Sequence, residues 1–308
     1  MAGIDIDVKS KAYQPLIDLI NKCIEEDQGN AFRVALGQVL PQLEDAYQEK
    51  DIQFRSHMGA SLLGKQCKRD IWYSFNWCKE TYFTGRMIRL FNRGHLEEGR
   101  FMAMLMQAGI NCWFKKEDGG QFAFHNCDGH YGGSLDIVIK GVPGYESTPM
   151  LCECKTHSEK SFTKLAQVGV ADAKPEHLIQ MNQYMGHYSL SFALYFAVNK
   201  NTDEIYCEIV PFDKDKFDPQ IRLASSLVKR RTPPIRVTKE RSFYLCKSCE
   251  YKAICWDKKD PQITCRTCVN SIMIDQGRWK CNKYNVILNK EDQYKACVQY
   301  RLLDDFHG

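Results

Sequence analysis

The sequence carries little net charge and has no long apolar run, no low-complexity run and no internal repeat. Its 42 Lys and Arg against 38 Asp and Glu leave a charge of only +4. Composition therefore does not predict a nucleic-acid partner, and any basic surface must be local. Residues 1–11 have no apolar segment of the signal-peptide type, and no stretch approaches the length of a membrane span. We therefore expect an intracellular, cytoplasmic protein with no membrane partner.

The chain has an ordinary globular composition, with 44% hydrophobic and 12% aromatic residues among 308. That length can bury a large core as one elaborated domain or as two. We expect an α/β protein with a mixed central sheet flanked by helices. The apolar periodicity predicts helices within 13–48 and over 85–107 and 218–229, short strands within 110–155, and strands over 194–199 and 205–210.

Two neighbouring strands, predicted over 134–140 and 150–155, carry the first chemical signal. Side chains alternate along a strand, so Glu153 and Lys155 share one face, and Asp136 on the neighbouring strand can face the same way. Two carboxylates beside an ammonium group are the minimum set for metal-assisted phosphodiester hydrolysis, and their hard oxygen atoms suit Mg²⁺ or Mn²⁺. The alternative interpretation is a surface hairpin with a cross-strand ion pair.

A helix follows in which Gln180 and Tyr184 lie four residues apart and share one face. The whole pattern resembles the PD-(D/E)xK nucleases of the RecB-like family, although Leu135 replaces the proline of that name. The resemblance covers residues 56–256 and implies a restriction-endonuclease-like fold with catalytic Asp136, Glu153, Lys155, Gln180 and Tyr184. The segments that carry it are Gly132-Gly133-Ser134-Leu135-Asp136, Glu153-Cys154-Lys155 and Gln180-x-x-x-Tyr184.

The predicted helix 85–107 has an acidic residue, Glu98, inside its apolar face, with His95 at the edge of that face. A carboxylate on an apolar face needs a partner, and a metal ion would be one. The resemblance implies His95 as a further metal ligand; a hydrogen-bonded core histidine is the alternative. The apolar face is Met87, Leu90, Phe91, Phe101, Met102 and Leu105. A basic stripe of Arg86, Arg89 and Arg93 could follow DNA phosphates or be a solvated face.

Fifteen cysteines are informative in a reducing compartment, because metal ligation or burial is then favoured over disulfides. Cys246, Cys249 and Cys255 lie close together in sequence and need a fourth thiolate. The resemblance implies Cys67 as that fourth ligand and a 4Fe–4S cluster that clamps the two arms of the chain around the nuclease core. Zinc in the same four thiolates is the alternative.

A second group of cysteines follows near the end of the chain. Cys265 and Cys268 form a C-x-x-C pair of the zinc-knuckle type, and Cys281 and Cys297 would complete a four-thiolate site. His307 could substitute for one of them. The alternative is a small subdomain with unligated thiols.

The resemblance implies a specific function, that of an Mg²⁺- or Mn²⁺-dependent DNA exonuclease that favours single-stranded ends. The sequence is similar to the iron–sulfur exonucleases of CRISPR adaptation and to their phage relatives. This similarity implies protein partners in recombination, repair or phage/CRISPR processes, and a bacterial host cell. A structure-specific endonuclease and a retired DNA-binding adaptor are the alternatives. A second basic group, Lys229, Arg230 and Arg231, is expected to contact DNA. The expected regions are an N-terminal helical region (1–55), the nuclease core (56–245), the cluster segment (246–260, with Cys67) and a zinc-binding-like subdomain (261–308).

Overall fold

The structure is a computed structural model that describes residues 11–43, 54–117 and 119–307. The predicted helical region 1–55 therefore lies partly outside the described residues. The helices are α1 (Gln14–Asp27), α2 (Asn30–Val39), α3 (Lys68–Phe75), α4 (Gly85–Gln107), α5 (Glu159–Ala173), α6 (Pro175–Tyr188), α7 (Lys214–Val228), α8 (Tyr244–Lys247), α9 (Lys252–Asp257) and α10 (Lys290–Lys295). The strands are β1 (Met58–Gly59), β2 (Asn111–Trp113), β3 (Ala123–Asn126), β4 (Tyr131–Ser134), β5 (Ile137–Lys140), β6 (Met150–His157), β7 (Phe192–Asn199), β8 (Ile205–Pro211), β9 (Ser271–Met273), β10 (Trp279–Cys281) and β11 (Val286–Leu288).

The chain divides into two compact units, and each unit is assembled from three separate segments. The four regions expected from the sequence stay predictions. Unit 1 comprises Met1–Gln48, Phe83–Phe122 and Ser134–Lys214. Unit 2 comprises Glu49–Tyr82, Ala123–Gly133 and Asp215–Gly308.

Unit 1 is built on a five-stranded sheet in the order β2-β5-β6-β7-β8. Only the central pair, β6 with β7, is parallel, and the other pairs are antiparallel. The predicted mixed sheet flanked by helices is therefore confirmed, with β6 at its middle. The predicted strands 194–199 and 205–210 are confirmed as β7 and β8.

One face of this sheet forms the apolar core of unit 1. Cys152, Cys154, Leu194 and Phe196 lie there against apolar side chains of α1, α2 and α4. Because side chains alternate along β6, Glu153 and Lys155 lie on the other face, on the side of α5 and α6. Cys154, which lies between Glu153 and Lys155 in the sequence, is buried in the core on the opposite face.

Helix α4 begins and ends where the sequence predicts. Thr84 caps it, since its Oγ1 accepts a hydrogen bond from the amide of Met87 at 3.3 Å. Phe101, Met102 and Leu105 are buried in the core. The predicted apolar face is wrong over the first half of the helix, where Met87, Leu90 and Phe91 are 40%, 51% and 40% exposed, because the described core of unit 1 reaches α4 only from Phe101 onward.

The predicted strand 134–140 is also wrong in its extent. Strand β4 ends at Ser134 and pairs with β1 and β3, whereas β5 begins at Ile137, so Asp136 lies in a bend between two sheets. Gly132 permits the close approach of β4 to β3, since a Cβ there would lie 2.6 Å from the Phe124 carbonyl oxygen. The consequence is that Asp136 is placed by a bend rather than by strand alternation.

Unit 2 contains α3, α8, α9 and α10 and the antiparallel sheet β11-β10-β9. Helix α7 enters it and begins four residues before the predicted position 218. Its interior holds a buried guanidinium: Arg266 lies over the rings of Trp77 and Trp279, 3.9 and 4.8 Å from their centroids. Within the described residues, no helix has the length and apolar character that crossing a membrane requires.

Candidate active site

The centre of the candidate site is an ion pair on β6. Lys155 Nζ lies 2.5 Å from Glu153 Oε1, and the Glu153 side chain has no solvent exposure. The other oxygen, Oε2, is buried and has no hydrogen-bond partner among the described residues. Burial alone lowers the pKa of Lys155, but the nearby Glu153 and Asp136 more than reverse this, so its pKa lies above the ordinary value. Lys155 is therefore a fixed positive charge.

Asp136 reaches this pair from the bend before β5. Burial raises the pKa of Asp136, while Lys155, a hydrogen bond from the Cys154 amide and His95 act in the opposite direction. The sequence anticipated that Asp136 would face Glu153 and Lys155. The backbone of β6 also holds it, through Cys154.

Helix α4 adds two more titratable groups. His95 Nδ1 lies 4.0 Å from Glu98 Oε1. The pKa of Glu98 is raised to about 7, first by burial and then by the nearby Asp136, while Lys155 opposes the shift. His95 and Glu98 therefore belong to the same electrostatic cluster as Asp136, Glu153 and Lys155.

This cluster has more negative groups than one lysine can balance. The pKa of Glu153 is raised to about 7, first by burial; Lys155 lowers it and Asp136 raises it. Ionising all three carboxylates together is therefore unfavourable unless another cation is present. As they are placed, no three His, Cys, Asp or Glu side chains in the described part of the chain could hold a metal ion.

Helix α6 contributes the last two predicted residues. Gln180 Nε2 donates a hydrogen bond to the Tyr184 hydroxyl at 3.3 Å. Tyr184 is buried, and its pKa is raised by that burial and then by Glu153 and Asp136. The structure therefore brings all seven residues predicted for the catalytic centre into one region of unit 1.

A histidine–tyrosine–histidine network beside this centre was missed by the sequence reasoning. The Tyr195 hydroxyl lies 2.9 Å from His157 Nε2 and 2.8 Å from His177 Nδ1. Burial, Lys174 and Lys155 lower the pKa of His157 to about 4 and that of His177 to about 3. Both imidazoles are therefore neutral at physiological pH, so the hydroxyl can donate to one and accept from the other.

A local signal for these histidines was present in the sequence. His157 is two residues beyond Lys155 and shares its side of β6, and His177 is one helical turn before Gln180. Tyr195 comes from β7 and had no such signal.

Three of the four predicted cluster cysteines are neighbours in unit 2. Cys67 immediately precedes α3, and Arg69 Nη1 of that helix lies 3.5 Å from Cys255 Sγ. The pKa of Cys249 is raised to about 11, first by burial and then by neighbours that include Cys67 and Cys255. Cys246 is buried on α8, three residues before Cys249, so its membership of the group rests on sequence spacing.

The second cysteine group is also gathered in unit 2. Cys265, Cys268, Cys281 and Cys297 all line one small cavity. His307 is not among the side chains that line it; its Nε2 lies 3.4 Å from Asp260 Oδ1.

The predicted basic residues differ in their surroundings. In unit 1, Arg86 and Arg89 are exposed, and Arg93 Nη2 donates to the Lys200 carbonyl oxygen at 3.1 Å. In unit 2, Lys229 and Arg230 are exposed, but Arg231 Nη2 donates to the Cys268 carbonyl oxygen at 3.0 Å and burial lowers its pKa. Arg231 therefore makes a structural contact, and its predicted contact with DNA stays a prediction.

Comparisons with known proteins gave weak similarities only. No protein-family model matches the chain, and no curated protein matches it by sequence. Two crystal structures of the alkaline exonuclease LHK-Exo from Laribacter hongkongensis are similar to this chain, with a TM-score of 0.41 for the complex with dAMP and 0.40 for the other. Both are 13% identical to it in sequence, and each match covers 56% of this chain and 86% of the LHK-Exo chain. The crystal structure of SSO0001 has a TM-score of 0.40 and 16% identity, over 79% of this chain and 96% of its own. TM-scores below 0.5 do not establish a common fold, so a functional assignment depends on the site itself.

Proposed function

We propose that the protein is a metal-dependent deoxyribonuclease that hydrolyses DNA from a free end and favours single-stranded DNA. The observation that carries this proposal is the buried Glu153–Lys155 ion pair with Asp136 and Glu98 beside it. A group of charges this dense is costly inside a protein and is typical of functional sites. The sequence pattern of Asp136, Glu153, Lys155, Gln180 and Tyr184 resembles that of the PD-(D/E)xK nucleases.

The residues present fit a divalent cation. Glu153 Oε2 is buried without a hydrogen-bond partner among the described residues, and burial, followed by the nearby Asp136, raises the pKa of both Glu98 and Glu153. Asp136 and Glu153 would hold Mg²⁺ or Mn²⁺, with His95 and Glu98 as further ligands. The bound ion would act as a Lewis acid toward the phosphate and lower the pKa of a water molecule.

The protein's own groups have separate tasks in this proposal. Lys155 stays protonated because the carboxylates raise its pKa, so it stabilises negative charge on the phosphate and does not act as a general base. Gln180 and Tyr184 position Lys155 and the attacking water, because the hydroxyl of Tyr184 is held by Gln180 next to the carboxylates. The His157–Tyr195–His177 network fixes β6 against α6 at the level of Lys155.

DNA binding in this proposal is electrostatic and independent of sequence. Arg86 and Arg89 on α4, and Lys229 and Arg230 after α7, are exposed cations that can contact phosphates. Such contacts carry no base information, so cleavage is expected at any sequence.

We also propose that Cys67, Cys246, Cys249 and Cys255 hold a 4Fe–4S cluster, with zinc as the alternative metal. Two observations support this proposal. Cys67, Cys249 and Cys255 are neighbours, and Arg69 Nη1 lies 3.5 Å from Cys255 Sγ. A hydrogen-bond donor at this position would stabilise the negative charge of a cluster held by thiolates. The cluster would link Cys67 before α3 to the segment around α8 and α9. Its role here is structural.

The proposal is tested with end-labelled single- and double-stranded DNA incubated with the full chain in Mg²⁺, Mn²⁺ or a chelator. We expect cleavage only with a divalent ion and faster loss of the single strand. Asp136→Asn should abolish it, while Asp172→Asn, at an exposed aspartate on α5, should not. Cleavage in the chelator, or full activity of Asp136→Asn, would refute the assignment. DNA binding without any cleavage would favour the adaptor alternative.

A further inference from the structure

The second cysteine group forms a cavity that the nuclease chemistry does not use. Cys265 begins the 3₁₀ turn Cys265–Thr267, and Cys268 follows that turn directly. Cys281 ends β10, and Cys297 follows α10. The four side chains line one small cavity, and all four are free thiols. Four sulfur atoms from three parts of the chain therefore face a common space.

The electrostatics of this cavity suit a soft cation. Cys265 lies close enough to Cys268, Cys281 and Cys297 to interact electrostatically with all three. Thiolates crowded together destabilise one another, so a divalent ion is what would allow them all to ionise. Lys283 also lines the cavity, where its Nζ donates to Gln299 Oε1 at 2.8 Å. Its positive charge would offset part of the net negative charge of an ion with four thiolates.

The turn that carries the first two cysteines is already formed. The Cys268 amide donates to the Cys265 carbonyl oxygen at 3.1 Å, which closes the turn, and Cys265 Sγ lies 3.5 Å from the Asp292 carbonyl oxygen of α10. A closed C-x-x-C turn beside two further cysteines is the arrangement of zinc knuckles.

The elements that surround this cavity are short. Strands β9, β10 and β11 have three residues each, and α10 has six. Small structures of this kind are usually stabilised by disulfides or by a metal ion. All fifteen cysteines are unpaired, so these four thiols are available as metal ligands.

The same turn is also fixed to the interior of unit 2. Arg266, between the two cysteines, donates to the carbonyl oxygen atoms of Phe75 at 2.9 Å and Ser56 at 2.8 Å. An ion held by Cys265 and Cys268 would therefore stabilise the position of Arg266 and, through it, the aromatic interior around Trp77 and Trp279.

We propose that Cys265, Cys268, Cys281 and Cys297 bind one structural Zn²⁺ ion. The four thiols each release a proton as the sulfur atoms close to about 2.3 Å from the ion. This movement is required, because in the described part of the chain no three such side chains already stand in metal-binding positions. The proposal goes beyond the nuclease function and does not depend on it.

The test is the zinc content of the full chain, measured together with its iron content. We expect about one zinc per chain in the wild type, lost in Cys281→Ser and in Cys297→Ser, with the iron content unchanged. Cys127→Ser is the matched control, since Cys127 is half-buried in unit 2 and lies outside the cavity, and it should keep its zinc. A Cys297→His variant should keep its zinc as well, because imidazole is also a zinc ligand.

A second measurement does not require the serine variants to fold. A zinc chelator added to the wild type should lower the thermal midpoint, and added Zn²⁺ should restore it. Folded wild-type protein without zinc, zinc that survives in both serine variants, or iron lost with Cys281→Ser would each overturn the proposal. Nuclease activity measured on the same preparations reports on the other proposal separately.

Discussion

Tyr195 lies directly opposite Glu153 in the parallel ladder between β6 and β7. Its hydroxyl is hydrogen-bonded to two histidines, His157 on β6 and His177 on α6. The side chain of Tyr195, beside the Glu153 carboxylate, is therefore fixed by two neutral imidazoles. One belongs to β6, which also carries Lys155, and the other to α6, which also carries Gln180. This arrangement positions the candidate catalytic groups without contributing a charge of its own.

Replacing Tyr195 with Phe should reduce nuclease activity by about 10- to 100-fold, because it removes both hydrogen bonds and loosens β6 against α6. The free energy of unfolding should fall by about 1–3 kcal/mol, as two buried imidazole nitrogens lose their partner. Tyr13→Phe is the control, since it removes a hydrogen bond of unit 1 to the Pro143 carbonyl oxygen in which no candidate-site residue takes part. If both variants lost stability and activity in proportion, the network would have no special link to catalysis.

Replacing Lys155 with Ala should reduce cleavage by about 10²- to 10³-fold, because the fixed positive charge beside the phosphate is lost. Mn²⁺ should still bind, since Asp136 and Glu153 remain. Lys160→Ala, at an exposed lysine of α5, should be fully active. Tyr184→Phe should have a milder effect than Lys155→Ala because Gln180 shares its positioning role. Activity of Lys155→Ala near that of the wild type would exclude Lys155 from the chemistry.

The effect of Mn²⁺ on thermal stability should depend on pH. The pKa values of Glu98 and Glu153 are raised to about 7, first by burial. Their contribution to the stability of the metal-free protein is present at pH values below their ordinary pKa and is lost as the pH rises through about 7. Because Mn²⁺ binds the ionised carboxylates, it should raise the thermal midpoint more at pH 8 than at pH 6. The Asp136→Asn variant should show little response, and an equal shift of the wild type at both pH values would contradict this explanation.

Protein purified without oxygen should be brown and contain about four iron and four sulfide per chain. Cys67→Ala should lose both colour and stability, because Cys67 is the only one of the four ligands that is remote in sequence. Cys23→Ala is the control, as Cys23 is a half-buried cysteine of unit 1. A colourless wild type with one tightly bound zinc at these residues would favour the alternative metal.

Linear single-stranded DNA should be degraded much faster than a covalently closed single-stranded circle, because the proposed enzyme needs a free end. Cleavage should also weaken steeply with added salt, and less steeply in an Arg86→Ala/Arg89→Ala double variant, which has lost two phosphate contacts. A Lys160→Ala/Lys164→Ala double variant, with two exposed lysines of α5 removed, should keep the wild-type salt dependence. Rapid cutting of the circle would favour the endonuclease alternative, with the same catalytic residues.

Local patterns in the sequence predicted the elements of unit 1 better than they predicted how its residues are held. Helix α4 could be placed because its apolar period marks its course, whereas the exposure of Met87 and Leu90 depends on which elements cover the helix. Strand alternation placed Glu153 and Lys155 correctly. It could not place Asp136, because the chain changes sheets between Ser134 and Ile137. The contacts of Tyr195 and Arg266 were not predictable either, since their partners come from distant parts of the chain.

The alternation of the two units along the chain has a consequence for how the protein is made. Arg266 reaches the carbonyl oxygen of Phe75 across 191 residues of sequence, so the aromatic interior of unit 2 cannot close until most of the polypeptide has left the ribosome. Contacts so distant in sequence slow folding, because a long loop must be ordered before they form. Neither unit corresponds to one continuous stretch of coding sequence. Expression of a shortened chain ending before Arg266 should therefore give aggregation-prone material rather than an isolated catalytic fragment.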